Sequence, residues 1–302
     1  MTHPKPVHLP AESNHAVMTA GSDGTFSILQ LTDFHTDVDS EANRRTWRDV
    51  RLLAGHFEPD LLAVTGDLWC GDAHPSEAPA WMERDLHLLG DLGLPWAFAW
   101  GNHDYCDDLS RALERIADTP HAVAPRGDGG GNYRIEIQDR NSGAVLWDVY
   151  FLNSHTECLL PEDLTWFEHE ASRARNQRDG RDRPAVLFFH IPLKPYETAR
   201  VDGRYTGIAL EEVLFWGDDG SLFPRLRAAA DIRACFVGHD HLNDFYTVEE
   251  GVVLAYGRVT GHGGYGADRV TPGGKLITLD GGSGEFRFTT VFPDGLTWNP
   301  GP

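Results

Sequence analysis

From Phe26 onward, short apolar runs alternate with stretches of helical periodicity. Residues 26–31 read as a strand, and Ser40 then precedes a segment in which Trp47, Val50, Leu53 and Phe57 recur every three or four positions, as in a capped amphipathic helix. Residues 61–64 are wholly apolar, and 61–65 read as a buried strand. A helix over 81–92, a strand over 96–100 and a helix over about 107–117 follow. This βαβαβα rhythm predicts parallel strands with crossover helices.

The middle of the chain changes character. Residues 133–137 and 144–152 flank the turn-rich spacer 139–143 and predict a hairpin, followed by a helix over 164–174 and a buried strand over 185–189. Further strands are expected at 232–237, 245–248, 252–256, 276–279 and 285–290. Residues 1–24 lack periodicity and read as a flexible lead-in, residues 25–292 as one domain, and residues 293–302 as a tail. Parallel and hairpin strands with helices outside them predict an α/β fold of two mixed sheets packed face to face and flanked by helices.

Composition narrows the function. With 26 basic against 46 acidic side chains, the formal charge is −20 over 302 residues. A phosphate-backbone binder needs a basic stripe, so no large nucleic-acid surface is expected. No run reaches the ~18 apolar residues of a membrane helix. The first residues show neither the basic nor the apolar region of a secretory signal, so a cytoplasmic chain without membrane attachment is expected. Four scattered cysteines do not form a disulfide framework.

Five short segments each follow a predicted strand: Asp33-Phe34-His35, Gly66-Asp67, Gly101-Asn102-His103-Asp104, His190 within Phe-Phe-His-Ile-Pro, and Gly238-His239-Asp240-His241. Strand carboxyl ends are where ligands collect in open α/β sheets. Carboxylates, imidazoles and an amide suit Mn²⁺, Fe, Zn²⁺ or Mg²⁺ rather than Cu(I) or Fe–S clusters. The set exceeds what a single four-coordinate ion needs and fits two ions sharing a carboxylate. Any one segment alone is commonplace, and the weight lies in all five occurring in this order.

In that order the segments resemble the signature of the calcineurin-like metallophosphoesterases, over about residues 26–292. The FHIPL, GHDHLNDF and GHGGYG segments are similar to the plant and fungal branch related to purple acid phosphatases. The resemblance implies a four-layer α/β/β/α sandwich. It assigns Asp33, His35 and His241 to a first metal, Asn102, His190 and His239 to a second, and Asp67 as the bridge. It further implies a phosphoesterase that attacks phosphate monoesters with a metal-bridging hydroxide, with His103 as general acid. Asp104 is the candidate for orienting that ring and raising its pKa. A phosphodiesterase acting on a cyclic nucleotide or glycerophosphodiester is the alternative, and a non-catalytic scaffold of the same fold the third reading.

One position departs from the pattern. Purple acid phosphatases carry a metal-binding tyrosine three residues after the bridging aspartate, and here that residue is Cys70. No purple charge-transfer band is expected, and the cofactor is expected to be two divalent ions, Mn, Fe or Zn. Cys70 and Cys106 each follow a site residue by three positions, so their loops are candidates for convergence, with free thiols the commoner outcome in an intracellular chain. The substrate, a small phosphate ester, has as candidate contacts His155 at a strand end, Arg204 and Tyr205 within a possible lid over 195–220, and His262 and Tyr265 in the glycine-rich loop 261–266.

Overall fold

The computed structural model describes residues 15–38, 40–124, 129–178 and 180–299. Its strands are β1 (His15–Thr19), β2 (Thr25–Leu31), β3 (Leu61–Thr65), β4 (Trp96–Ala99), β5 (Tyr133–Gln138), β6 (Val145–Phe151), β7 (Ala185–Phe188), β8 (Thr206–Ala209), β9 (Ile232–Val237), β10 (Asn243–Glu249), β11 (Val252–Tyr256), β12 (Gly274–Asp280), β13 (Phe286–Val291) and β14 (Thr297–Trp298). The helices are α1 (Glu41–Phe57), α2 (Ala78–Gly90), α3 (Leu109–Asp118), α4 (Pro161–Asn176), α5 (Lys194–Val201) and α6 (Leu222–Ala229).

The strands form two sheets, one in the order β1-β5-β6-β7-β9-β11-β10-β8 and the other β14-β13-β12-β2-β3-β4. The expected crossovers are present, since β2, β3 and β4 pair in parallel, as do β6, β7, β9 and β11. The hairpin is β5–β6, closed by the Asp139 N–H donating to the Ala144 carbonyl at 2.8 Å.

Period-two alternation sorts the eight-stranded sheet into two buried faces. Val149, Phe151, Val186, Phe188, Ala234 and Phe236 join a core shared with Phe26, Ile28, Leu62, Val64 and Ile277 of the six-stranded sheet. Between the sheets, the rings of Phe151, Phe188 and Phe236 stack in a row across three strands at centroid spacings of 5.2 and 5.4 Å. Tyr150, Leu152, Leu187, Cys235 and Val237 point the other way, onto Leu164 and Phe167 of α4, Tyr196 of α5 and Leu226 of α6. Trp47, Val50 and Leu53 of α1 and Leu86 and Leu89 of α2 cover the six-stranded sheet. The result is the four-layer α/β/β/α sandwich.

The ends differ from expectation. Residues 1–14 of the expected lead-in lie outside the described residues, but residues 15–19 form β1, parallel to β5 along its whole length with Ala16 and Met18 buried. Within the expected tail, Thr297 and Trp298 pair with β13. The expected lid segment contains α5 and β8, an edge strand antiparallel to β10, and is irregular over 210–220. These pieces are too short to register as periodicity and owe their form to the sheet edges they extend.

Candidate metal centre

The loops that leave β2 and β3 continue to pair beyond the sheet. The Asp33 N–H donates to the Gly66 carbonyl at 3.1 Å, His35 to Asp67 at 2.9 Å and Thr36 to Leu68 at 3.1 Å. Asp33, His35, Asp67 and His239 all have left-handed backbones, with φ of 56°, 47°, 54° and 80°. Such conformations cost about 1–3 kcal/mol each in a non-glycine residue and persist where the surroundings over-determine them. The motif glycines make the close approach possible: a Cβ on Gly101 would collide with the Asp67 carboxylate and backbone nitrogen, and one on Gly238 with the Thr32 hydroxyl.

This backbone gathers buried donors into two groups, Asp33, His35 and His241 in one and Asp67, His190 and His239 in the other. Asp67 stands between them, its Oδ2 lying 3.1 Å from His190 Nε2 and 3.4 Å from His35 Nε2. Asp33 accepts the His239 N–H at 3.0 Å. Two histidines are oriented by carbonyls, since His190 Nδ1 meets the Thr65 oxygen at 2.8 Å and His241 Nδ1 the Tyr265 oxygen at 2.7 Å. A carbonyl only accepts, so Nδ1 carries the proton and Nε2 turns into the site, as in metal-ligating histidines.

Several buried donor atoms have nothing to bond. Asn102 Oδ1 and His239 Nε2 lack hydrogen-bond partners, and His190 Nε2 makes no aligned hydrogen bond despite its nearness to Asp67. His35 Nε2 and His241 Nε2 face each other at 2.9 Å. Buried polar atoms are ordinarily satisfied, so these nitrogens and oxygens fit cations placed among them.

A calcineurin-like phosphoesterase family profile matches residues 26–243. This chain belongs to that family. It is 28% identical over 298 residues to a protein of Arabidopsis thaliana named "Probable inactive purple acid phosphatase 28", a match covering 81% of this chain and 72% of the relative. It is 24% identical over 232 residues to a "Probable cyclic nucleotide phosphodiesterase" of Psychrobacter arcticus, covering 72% and 75% respectively. Among solved structures, a dimetal phosphatase from Danio rerio superposes with a TM-score of 0.62 at 11% identity, over 88% of this chain and 95% of that one. That likeness concerns the fold alone.

The protonation of the donors follows from their burial. Burial pushes His35 and His239 down to about 3, which leaves both rings in the neutral form that metals bind. Burial also works to lower His190, yet Asp67 and Asp33 raise it to about 10. The same burial raises Asp33, and it works to raise Asp67 as well, yet the His190 charge beside it holds Asp67 well below the usual carboxylate range. Without a cation, a proton on His190 serves as the counter-charge. Among the described residues no lysine or arginine pairs with Asp33 or Asp67.

His103 sits at the solvent edge, its ring 5.0 Å from that of His35. The residue that orients it is Asp72, whose Oδ1 lies 2.7 Å from His103 Nδ1. Burial lowers the His103 pKa, but Asp67 and Asp72 together outweigh it and raise it. Asp104 does not take the expected role. Its buried carboxylate accepts the backbone N–H groups of Asp67, Leu68, Trp69 and Gly101 at 2.7–3.2 Å, buckling the two loops together. Asp72 was hidden in the sequence because it serves a histidine on another loop.

The substrate candidates divide. Tyr265 stacks on His241 at 4.0 Å and is 48% exposed, so it lines the mouth. His262 turns away, its Nε2 bonding Asp49 of α1 at 2.7 Å. Arg204 reaches Asp202 and Glu249, and Tyr205 packs on Phe245, both at the end of β8 remote from Ala209, which pairs with Asn243 beside the His239–His241 loop. His155 is tied to Asp163 at 2.9 Å and joins neither donor group. Sequence reasoning missed Trp216, 52% exposed with its ring edge-on to His239 at 4.7 Å. All four cysteines are free.

Proposed function

We propose that this chain is a dinuclear metal-dependent phosphoesterase acting on phosphate monoesters. The observation that carries the reading is Asp67, standing between two buried donor groups that have no lysine or arginine partner among the described residues, with a carboxylate-held histidine at their exposed edge. Asp33, His35 and His241 would hold one divalent ion, Asn102, His190 and His239 the other, and Asp67 both. Mn²⁺, Zn²⁺ or Fe²⁺ suits these donors. Ions so held would make a water nucleophile available near neutral pH and neutralise phosphate oxygens.

The protein's own part is to position and to move a proton. Asp104 fixes the loops bearing Asp67 and Asn102 relative to each other. Asp72 takes His103 Nδ1, so Nε2–H is the proton donor to the leaving oxygen. His103→Ala is expected to keep both metals while losing about 10²–10⁴-fold in rate, most on poor leaving groups.

Trp216 and Tyr265 favour a second reading, since exposed aromatic faces at the mouth suit the further substituent of a diester, and one relative bears a phosphodiesterase name. Another relative is named inactive, but here every signature position carries a ligand-type residue, and six of them lie in the two buried groups. The test is kcat/KM for p-nitrophenyl phosphate and bis-p-nitrophenyl phosphate with the Mn²⁺-loaded protein, Asp67→Asn serving as blank. Monoester preference supports the first reading, diester preference the second. No turnover above the blank with metal bound defeats both.

A further inference from the structure

The mouth of the centre holds another donor set, none of it assigned as a metal ligand above. Cys70, Asp72 and His103 each bring a ligand atom within 4.8 Å of the others. The loops that carry them are joined by the Gly71 N–H, which donates to the His103 carbonyl at 2.9 Å. Unlike the buried donors, these reach solvent, with Asp72 43% and His103 34% exposed and Cys70 half-buried. An S, N and O set with an open fourth position is a zinc-type set, and thiolate disfavours Mn²⁺ and Mg²⁺.

Two further observations bear on it. Burial and the nearby Asp72, Asp67, Asp37 and Asp104 push the Cys70 thiol up to about 12. The negative field that resists a bare thiolate attracts a dication to the same place. Cys70 Sγ also lies 3.7 Å from His35 Nδ1. A coordinated sulfur keeps lone pairs to accept that ring N–H, so filling this position leaves His35 free to turn Nε2 inward.

We propose that Cys70, Asp72 and His103 form a third, zinc-selective site that inhibits the enzyme when filled. On binding, the Cys70 thiol proton and the His103 Nδ1 proton pass to solvent, and the ion replaces the His103–Asp72 hydrogen bond with bonds to Nδ1 and a carboxylate oxygen. The ion then holds the His103 ring in place of Asp72, which takes away the contact that turns its Nε2 toward the leaving oxygen. The inhibitory consequence rests on the role proposed for His103, whereas the binding does not.

Co²⁺ serves as the probe, added to protein whose two main positions are already filled with Mn²⁺. A further equivalent of Co²⁺ is expected to produce a thiolate-to-cobalt charge-transfer band, absent from Cys70→Ser and requiring about tenfold or more additional Co²⁺ in Asp72→Asn. Circular dichroism of each variant confirms folding. Absence of the band in wild type, or its persistence in Cys70→Ser, overturns the site. Zn²⁺ is then titrated during turnover, where hydrolysis of phenyl phosphate should fall further than that of p-nitrophenyl phosphate. A cobalt band with turnover unaffected by Zn²⁺ overturns the inhibitory role. A cobalt band in a protein with no turnover leaves the metal site supported and defeats the phosphoesterase reading instead.

Discussion

Sheet strands β6 and β7 run between two clusters of buried charge that are built on opposite principles. Near their amino ends, Arg134 is fully buried and bonds Glu136, Asp148 and Glu170 at 2.7–2.8 Å, while Arg178 adds contacts to Glu136 and Asp148 and Arg173 holds Glu170. Three guanidinium groups face three carboxylates, and the pairing holds Glu136 down to about 2 despite its burial. Past their carboxyl ends lie Asp33 and Asp67, equally buried but surrounded by histidines and orphaned donor atoms. The first cluster balances its charges within the chain, although Arg134 Nη2 has no hydrogen-bond partner. The second has no lysine or arginine among its partners and is consistent with a site for ions. Burial of charge therefore marks function here only where the counter-charge is missing.

The largest effect expected from this contrast is on activity. Asp67→Asn removes the donor shared by both groups, so bound Mn²⁺, measured by elemental analysis, should fall and phosphoester hydrolysis should drop to background. Chelation of the wild type should do the same, and Mn²⁺ should restore the wild type alone. The variant retaining both ions would show that Asp67 is not shared.

Next in size is an opposite response of the two clusters in metal-free protein. Arg134→Met leaves buried carboxylates without their partner and should cost about 3–5 kcal/mol in urea unfolding. Asp33→Asn removes a buried anion that has no lysine or arginine partner among the described residues and shares the His190 proton with Asp67, and should raise the stability of the metal-free protein. The sign can be checked against pH. Asp33 has a folded-state pKa above its unfolded value, so its contribution is full below the usual carboxylate range and is lost as pH rises through the raised value. The metal-free wild type should therefore lose more stability than Asp33→Asn over that window. Mn²⁺ at about 100 times its Kd should stabilise the wild type by about 2.7 kcal/mol per site and Asp33→Asn by less. Equal destabilisation by both substitutions would erase the contrast.

Much of this was legible in the residues alone. The five segments at strand ends named every donor the structure gathers, because a strand's end is visible as the point where an apolar run stops. What stayed hidden depends on which way a side chain turns after a loop leaves the sheet. His262 and Tyr265 share one glycine-rich loop, yet one bonds Asp49 on α1 and the other stacks on His241. Asp104 adjoins His103 in sequence but spends its lone pairs on backbone N–H groups, and Asp72 supplies the ring's partner from across the mouth. Trp216 carried no signal beyond being an aromatic in a long loop. The short strands β1 and β8 were lost because their register comes from neighbours rather than from their own pattern.

The smallest effect falls on the border between the two principles, where His103 and Asp72 form a paired unit at the edge of the unpaired centre. Asp67 and Asp72 raise the His103 pKa against its burial. A general acid works while protonated, so a raised pKa extends activity toward higher pH. Cations at the neighbouring donors push the other way, which leaves Asp72 as the group that keeps the ring charged in the loaded enzyme. Asp72→Asn should move the alkaline limb of kcat/KM toward lower pH, with bound metal and the acid limb unchanged. An unmoved limb would mean that Asp72 orients the ring without charging it. The rate at low pH then separates the two contributions, because an orienting role costs rate at every pH and a charging role only above the limb.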